Sequence, residues 1–214
     1  TDSAEPHLVS KIKCLGIHRY IAGQGDAAET LVIDTDPGEL EHNAFVAQNR
    51  ALFDVLCDFL EDAEAQKEGQ NYSVYDTDVI DRIWGVKTKG LVFDTLLAHR
   101  ALYPDEPHNL HHIAFTFSDA EPWKPPKNKN GMEVFETKDD LHDYNAKDCV
   151  GASISARTLR RRLREEKCDR IHDIDLRKAA LAMQMNQFGI PISLQRREEF
   201  GAKALRDRDE SLAQ

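Results

Sequence analysis

No window of the 214 residues approaches the roughly 18 consecutive apolar residues that a membrane-crossing helix needs. The opening TDSAEPHLVS carries no apolar signal-peptide core, so neither a membrane nor secretion is expected as a destination. Cysteine is scarce as well. Cys14, Cys57, Cys149 and Cys168 stand apart with no C-x-x-C spacing, which argues against a cysteine metal cluster and a disulfide framework and fits a reducing cytosol. Basic residues are outnumbered, 28 Lys and Arg against 38 Asp and Glu, and a formal charge of −10 argues against a protein that coats duplex DNA by bulk positive potential. A nuclease is not excluded by that balance, because an enzyme that grips a strand end through carboxylate-bound cations needs acids in its site. Internal repeats are lacking too. What remains is an apolar content of 41%, enough to form a core.

Residues 11–20 (KIKCLGIHRY) alternate apolar and polar side chains and predict a half-buried strand, with 23–26 (GQGD) as the turn and 29–34 (ETLVID) as the returning strand. Phe45, Leu52, Phe53, Leu56, Phe59 and Leu60 recur at helical spacing and predict an amphipathic helix over 43–60. Residues 61–69 read as a charged loop, and 77–84 as a helix that Gly85 ends. The apolar run 91–93 leads to Asp94 or Thr95 as the cap of a helix over 96–103, and 109–117 is a further short helix. Residues 123–131 (WKPPKNKNG) form a polar Pro- and Gly-rich loop able to flank a substrate, ahead of a long helix from 138 to 166. A helix over 174–185 follows. Strands near the start alternating with helices predict a mixed α/β sheet covered by helices.

Two stretches carry chemistry. On the long helix, DYNAKD places Tyr144 and Asp148 four residues apart and so on one face. Upstream, QNYSVYD packs an amide, aromatics and an acid at a helix start: Asn71, Tyr75 and Asp76. Either stretch alone is an ordinary polar helix end. Together, in this order, they resemble the second and third motifs of the DEDD 3′–5′ proofreading exonucleases, N-x(2–3)-[F/Y]-D and Y-x(3)-D, in the tyrosine subclass. The wording of 91–119 (LVFDTLLAHRALYPDEPHNLHHIAFTFSD) and of DYNAKD resembles the exonuclease domain of family A DNA polymerases of phage type, over essentially the whole chain. The histidine subclass places its His five residues before the last Asp; position 143 is Asp, and His142 misses by one.

The resemblance implies a ribonuclease H-like fold lacking its first strand. It implies an exonuclease domain over 1–167 and, from the G-I-P-I-S step at 189–193, the start of a polymerase thumb in a helical extension over 168–214. The family's first motif, D-x-E, lies on an opening strand followed by residues much like T-D-S, so that strand is expected upstream of Thr1. Asp2 and Glu5 lack the D-x-E spacing and do not inherit the role. By the same resemblance two divalent ions, Mg2+ or Mn2+, serve hydrolysis, and hard cations prefer carboxylate oxygen. Asp148 would hold the ion that activates water, Asp76 would reach the second, and Tyr144 would orient the attacking water. Asn71 and Tyr75 would contact terminal nucleotides of a single-stranded DNA 3′ end. The implied partners are that strand, primer–template DNA and the remainder of a polymerase chain.

Three other groups read more simply. His108, His111 and His112 have zinc-like spacing but no fourth ligand nearby, which leaves a capped, solvated helix start. Arg157, Arg160, Arg161 and Arg164 form a basic stripe that fits phosphate or a solvated face equally. Asp94 reads as a helix cap.

Overall fold

The computed structural model describes residues 9–20, 28–36, 44–118, 121–127 and 133–212. In chain order they form β1 (Cys14–Arg19), β2 (Glu29–Asp34), α1 (Ala44–Gln48), α2 (Arg50–Glu61), β3 (Lys67–Gly69) and α3 (Asp76–Trp84). There follow β4 (Leu91–Asp94), α4 (Thr95–Leu102), α5 (Leu110–Phe117), α6 (Lys138–Glu165), α7 (Asp169–Phe188) and α8 (Leu194–Leu212). The architecture is mixed α/β with helix predominating. Among the described residues no helix is long and apolar enough to cross a membrane. The turn expected at 23–26, and Asp2 and Glu5, lie outside the described residues.

β1 and β2 pair antiparallel, Cys14 opposite Asp34 and Arg19 opposite Glu29. β3 pairs parallel with β4, with a bulge between Lys67 and Glu68. Among the described residues these remain two separate two-stranded sheets. β3 corrects the expectation of a loop through residue 69. Its sequence KEG has no apolar alternation to announce a strand; pairing with β4 makes one, and Lys67 is buried there, its Nζ donating to the carbonyls of Asp62 and Ala65 at 2.8 Å each. The helix expected over 43–60 is divided at Asn49, which leaves helical geometry (φ −125°) while its side-chain amide donates to the Phe45 carbonyl at 3.3 Å.

Two cores result. Ile12, Ile33, Phe45, Phe53, Leu56, Leu60, Val79 and Ile80 pack with Trp84, whose ring meets Phe53 edge-on at 5.6 Å. Phe93, Ala98, Ile113, Ala156, Leu159 and Leu163 form the second, where β4, α4, α5 and α6 meet. α6 touches both sheets and both α4 and α5. Its start is fixed by a capping box in which the Thr137 hydroxyl accepts from Asp140 N and the Asp140 carboxylate accepts from Thr137 N.

α6 crosses β1 closely enough to demand glycine at position 16. A Cβ there would collide with Asn145 Oδ1 and lie 2.6 Å from Cys149 Sγ. Gly16→Ala is therefore expected to cost about 1–3 kcal/mol by overpacking. Urea unfolding measures it, and a loss under about 0.5 kcal/mol, the range of an ordinary surface change, would contradict the close crossing.

The chain divides into two compact units, Thr1–Ala180 and Leu181–Gln214. Taken by itself, the second has little core: α8 buries none of its residues, and Phe188, Ile190 and Ile192 stand exposed.

Candidate active site

One carboxylate builds the turn that leads into α3. Asp94, at the end of β4 and fully buried, caps α4 by accepting from Leu96 N at 3.0 Å and Leu97 N at 3.4 Å. The capping role read from sequence is there, and the same group does more. Oδ1 also accepts from Asn71 N at 3.0 Å, while Oδ2 accepts from Ser73 N at 3.1 Å and Ser73 Oγ at 2.7 Å. Held this way, Asn71 adopts a left-handed backbone (φ 56°), a conformation asparagine tolerates better than most residues. Gln70 fastens the turn from the other side, donating to the His108 carbonyl at 2.7 Å and accepting from the Thr95 hydroxyl. Asp76 follows as the first residue of α3, where the helix N-terminus favours an anion.

On α6 the second acid is gripped from outside the helix. Trp123 Nε1 donates to Asp148 Oδ1 at 2.8 Å. The Tyr144 hydroxyl is hydrogen-bonded to Asp148 and reaches Glu133 Oε1 at 3.5 Å. Around these lie the His111 ring, 4.4 Å from Trp123 and stacked on Tyr144 at 6.2 Å, and Phe135, 5.3 Å from Tyr144.

Asp76 and Asp148 both line one groove of about 390 Å³. Residues 14–18 of β1 form one part of its wall, residues 66–70 another, and Asn145, Cys149, Ala152 and Ser153 of α6 contribute alongside Asp148. Successive strand residues point to opposite faces, so five in a row from each segment mean that the groove meets β1 and β3 along their edges. Burial raises Asp76 to about 7, and the negative charge of Asp94 adds to the rise. Burial raises Asp148 to about 6 against the hydrogen bonds from Trp123 and Tyr144, with Glu133 adding to the rise. The neighbouring Cys149 thiol is pushed up to about 12, first by burial and then by Asp148 and Asp76, so both carboxylates act on one point.

No protein-family model matches this chain, and no curated protein does.

The structure thus brings Asp76 and Asp148 to one groove and sets Tyr144 beside Asp148, though not among the residues that line it. Burial and the two nearby carboxylates, Asp148 before Glu133, push the Tyr144 phenol well above its ordinary range, which removes it as a base at neutral pH. Asn71 and Tyr75 do not line the groove; Tyr75 packs against the first core, and Gln70 and Tyr72 face the groove instead. Trp123 and Glu133 were not picked out as site residues from the sequence. Trp123 lies in the Pro- and Gly-rich loop expected to flank a substrate, and nothing local ties either residue to α6.

His108 and His112 serve the fold. Asn109 Oδ1 caps α5 by accepting from His112 N at 3.0 Å, as the capped helix start required. His108 Nδ1 lies 2.9 Å from Nδ1 of the buried His99, and His112 Nε2 3.3 Å from Glu106. Of the arginine stripe, Arg160 pairs with Glu68 at 2.5 Å and stacks on Phe93, and Arg157 stacks on Tyr20. Among the described residues no three His, Cys, Asp or Glu side chains converge to hold a metal ion.

Proposed function

We propose that this chain is the 3′–5′ exonuclease portion of a family A DNA polymerase, built on a ribonuclease H-like fold, acting on the 3′ end of single-stranded DNA. The observation that carries the reading is the shared groove: two acids far apart in sequence, chosen by motif spacing, face one cavity. Their oxygens are hard donors suited to Mg2+ or Mn2+, and both sit where burial penalises an uncompensated negative charge. Two carboxylates do not make a complete cage, so the reading requires further acids from outside the described residues.

In this reading the groove would seat them. A strand inserted between the edges of β1 and β3 would join two two-stranded sheets into one, and its side chains would stand next to Asp76 and Asp148. We assign to that position the D-x-E strand that the family resemblance expects upstream. Bound there, the ions would supply an ionised water and take up charge on the leaving oxygen. The protein's own part is to hold Asp148 by Trp123, to fix the phenol of Tyr144 beside it, and to present Asp76 from the Asp94-anchored turn. Gln70 and Tyr72 offer an amide and an aromatic face to the terminal nucleotide. A ribonuclease of the same superfamily is separated by offering RNA and DNA 3′ ends side by side; the polymerase-like step at 189–193 favours DNA.

The uncompensated acids make a second test. The folded pKa of Asp76, about 7, lies above its unfolded value of about 3.9. Folding therefore favours the protonated form: its contribution is full below about pH 3.9 and is lost as pH rises through 7. Asp76→Asn mimics the protonated acid. In chelator its melting temperature is expected to match the parent's near pH 4 and to exceed it by a few degrees at pH 8. Parallel melting curves across that range would show that Asp76 is not held against its charge.

A further inference from the structure

Gly151 breaks a local rule. It lies inside the 28-residue α6 without a left-handed backbone, where glycine costs about 1 kcal/mol relative to alanine. The space its side chain would fill is taken by an indole: a Cβ at Gly151 would lie 2.9 Å from Cη2 of Trp123. The same ring rests 4.4 Å from that of His111. Gly151 follows Asp148 by three residues and shares its helix face, so a ring seated at Gly151 can reach the carboxylate, and Nε1 does so at 2.8 Å. The segment that carries Trp123 is fastened beyond it as well. Val134 N donates to the Pro126 carbonyl at 2.9 Å, Lys124 Nζ lies 3.8 Å from Glu133 Oε1, and Glu133 meets the Tyr144 hydroxyl.

We propose that Trp123 is a positioning residue for Asp148, with Gly151 as its seat: the indole N–H occupies Oδ1 and so decides which carboxylate oxygen is turned to the groove. The geometry stands by itself, and its consequence rests on reading Asp148 as a cation-binding group. Hydrogen-bond partners of a metal-binding carboxylate typically contribute 10–100-fold in metal affinity, because an unheld carboxylate must be oriented at the moment of binding.

The experiment uses residues 1–214 with 15N-labelled tryptophan. The sequence has two tryptophans, and Trp84, packed on Phe45 and Phe53, is the internal control. Asp148→Asn and Gly151→Ala are each expected to shift the Trp123 indole signal and leave that of Trp84 in place. Mn2+ is expected to broaden the Trp123 signal first. Trp123→Phe, which keeps the ring and loses the donor, is expected to need roughly 10–100-fold more Mn2+ for the same water-proton relaxation, and Trp123→His, which restores an N–H, to recover part of it. A Trp123 signal indifferent to both Asp148→Asn and Gly151→Ala overturns the proposal, as does unchanged Mn2+ binding by Trp123→Phe. If Mn2+ broadens neither indole in the parent nor in the protein joined to a D-x-E strand, the cation reading of Asp148 fails, while the response to Asp148→Asn still decides the positioning.

Discussion

Joining residues 1–214 to an upstream strand that carries two acids at D-x-E spacing is expected to raise 3′–5′ hydrolysis of single-stranded DNA by at least about 10³-fold. Removing a single preorganised electrostatic group from an active site commonly costs 10²–10³, and completing a cation cage adds more than one such group. The expectation follows from what Asp76 and Asp148 lack. Both face the groove with carboxyls raised by burial, Asp76 to about 7 and Asp148 to about 6, and no third acid converges with them among the described residues. Residues 1–214 alone should therefore cleave slowly in either Mg2+ or Mn2+. In the joined protein Asp148→Ala should return the rate to that of residues 1–214, and Tyr144→Phe should lower it less, since the phenol supports the Asp148 carboxylate and does not ionise. Release of 3′-labelled nucleotides from single-stranded DNA reads all four proteins. Equal rates from 1–214 and the joined protein would remove the assignment of acids to the gap between β1 and β3.

Asp94→Ala is expected to be the most destabilising single change near the groove, by about 3–5 kcal/mol, the range for breaking a buried charged network. The carboxylate is fully buried and accepts five hydrogen bonds, four from backbone amides and one from the Ser73 hydroxyl. Alanine would leave those donors without a partner and free Asn71 from its left-handed turn. At 2–4 °C per kcal/mol for a chain of this size, the melting temperature should fall by roughly 10 °C. Ser73→Ala removes one donor and keeps the acceptor, so it should cost only about 1 kcal/mol. A loss under about 1 kcal/mol for Asp94→Ala would mean that the turn before Asp76 is held by other contacts.

Much of this arrangement was legible one stretch at a time. Asp94 announces the start of α4 and Gly85 the end of α3, because caps and breakers act within three or four residues. Motif spacing on α6 put Tyr144 and Asp148 on one face, and the apolar period marked Phe53, Leu56 and Leu60 as the buried side of α2, although Leu52 and Phe59, of the same period, stand exposed. These signals are local, and the sequence carries them without help.

Other features depend on residues far apart in the chain. KEG at 67–69 is a strand because β4 lies beside it. Of the two tyrosines in the QNYSVYD turn, Tyr72 faces the groove while Tyr75 packs on the core, a choice made by how the Asp94-anchored turn is rotated. Trp123 reaches Asp148 only because α5 and α6 pack together and Gly151 leaves space for its ring. Periodicity and capping therefore determined most of the elements, and the motif resemblance nominated the two acids. Long-range packing and burial, which no short window contains, decided that those acids share a groove and which side chains surround them.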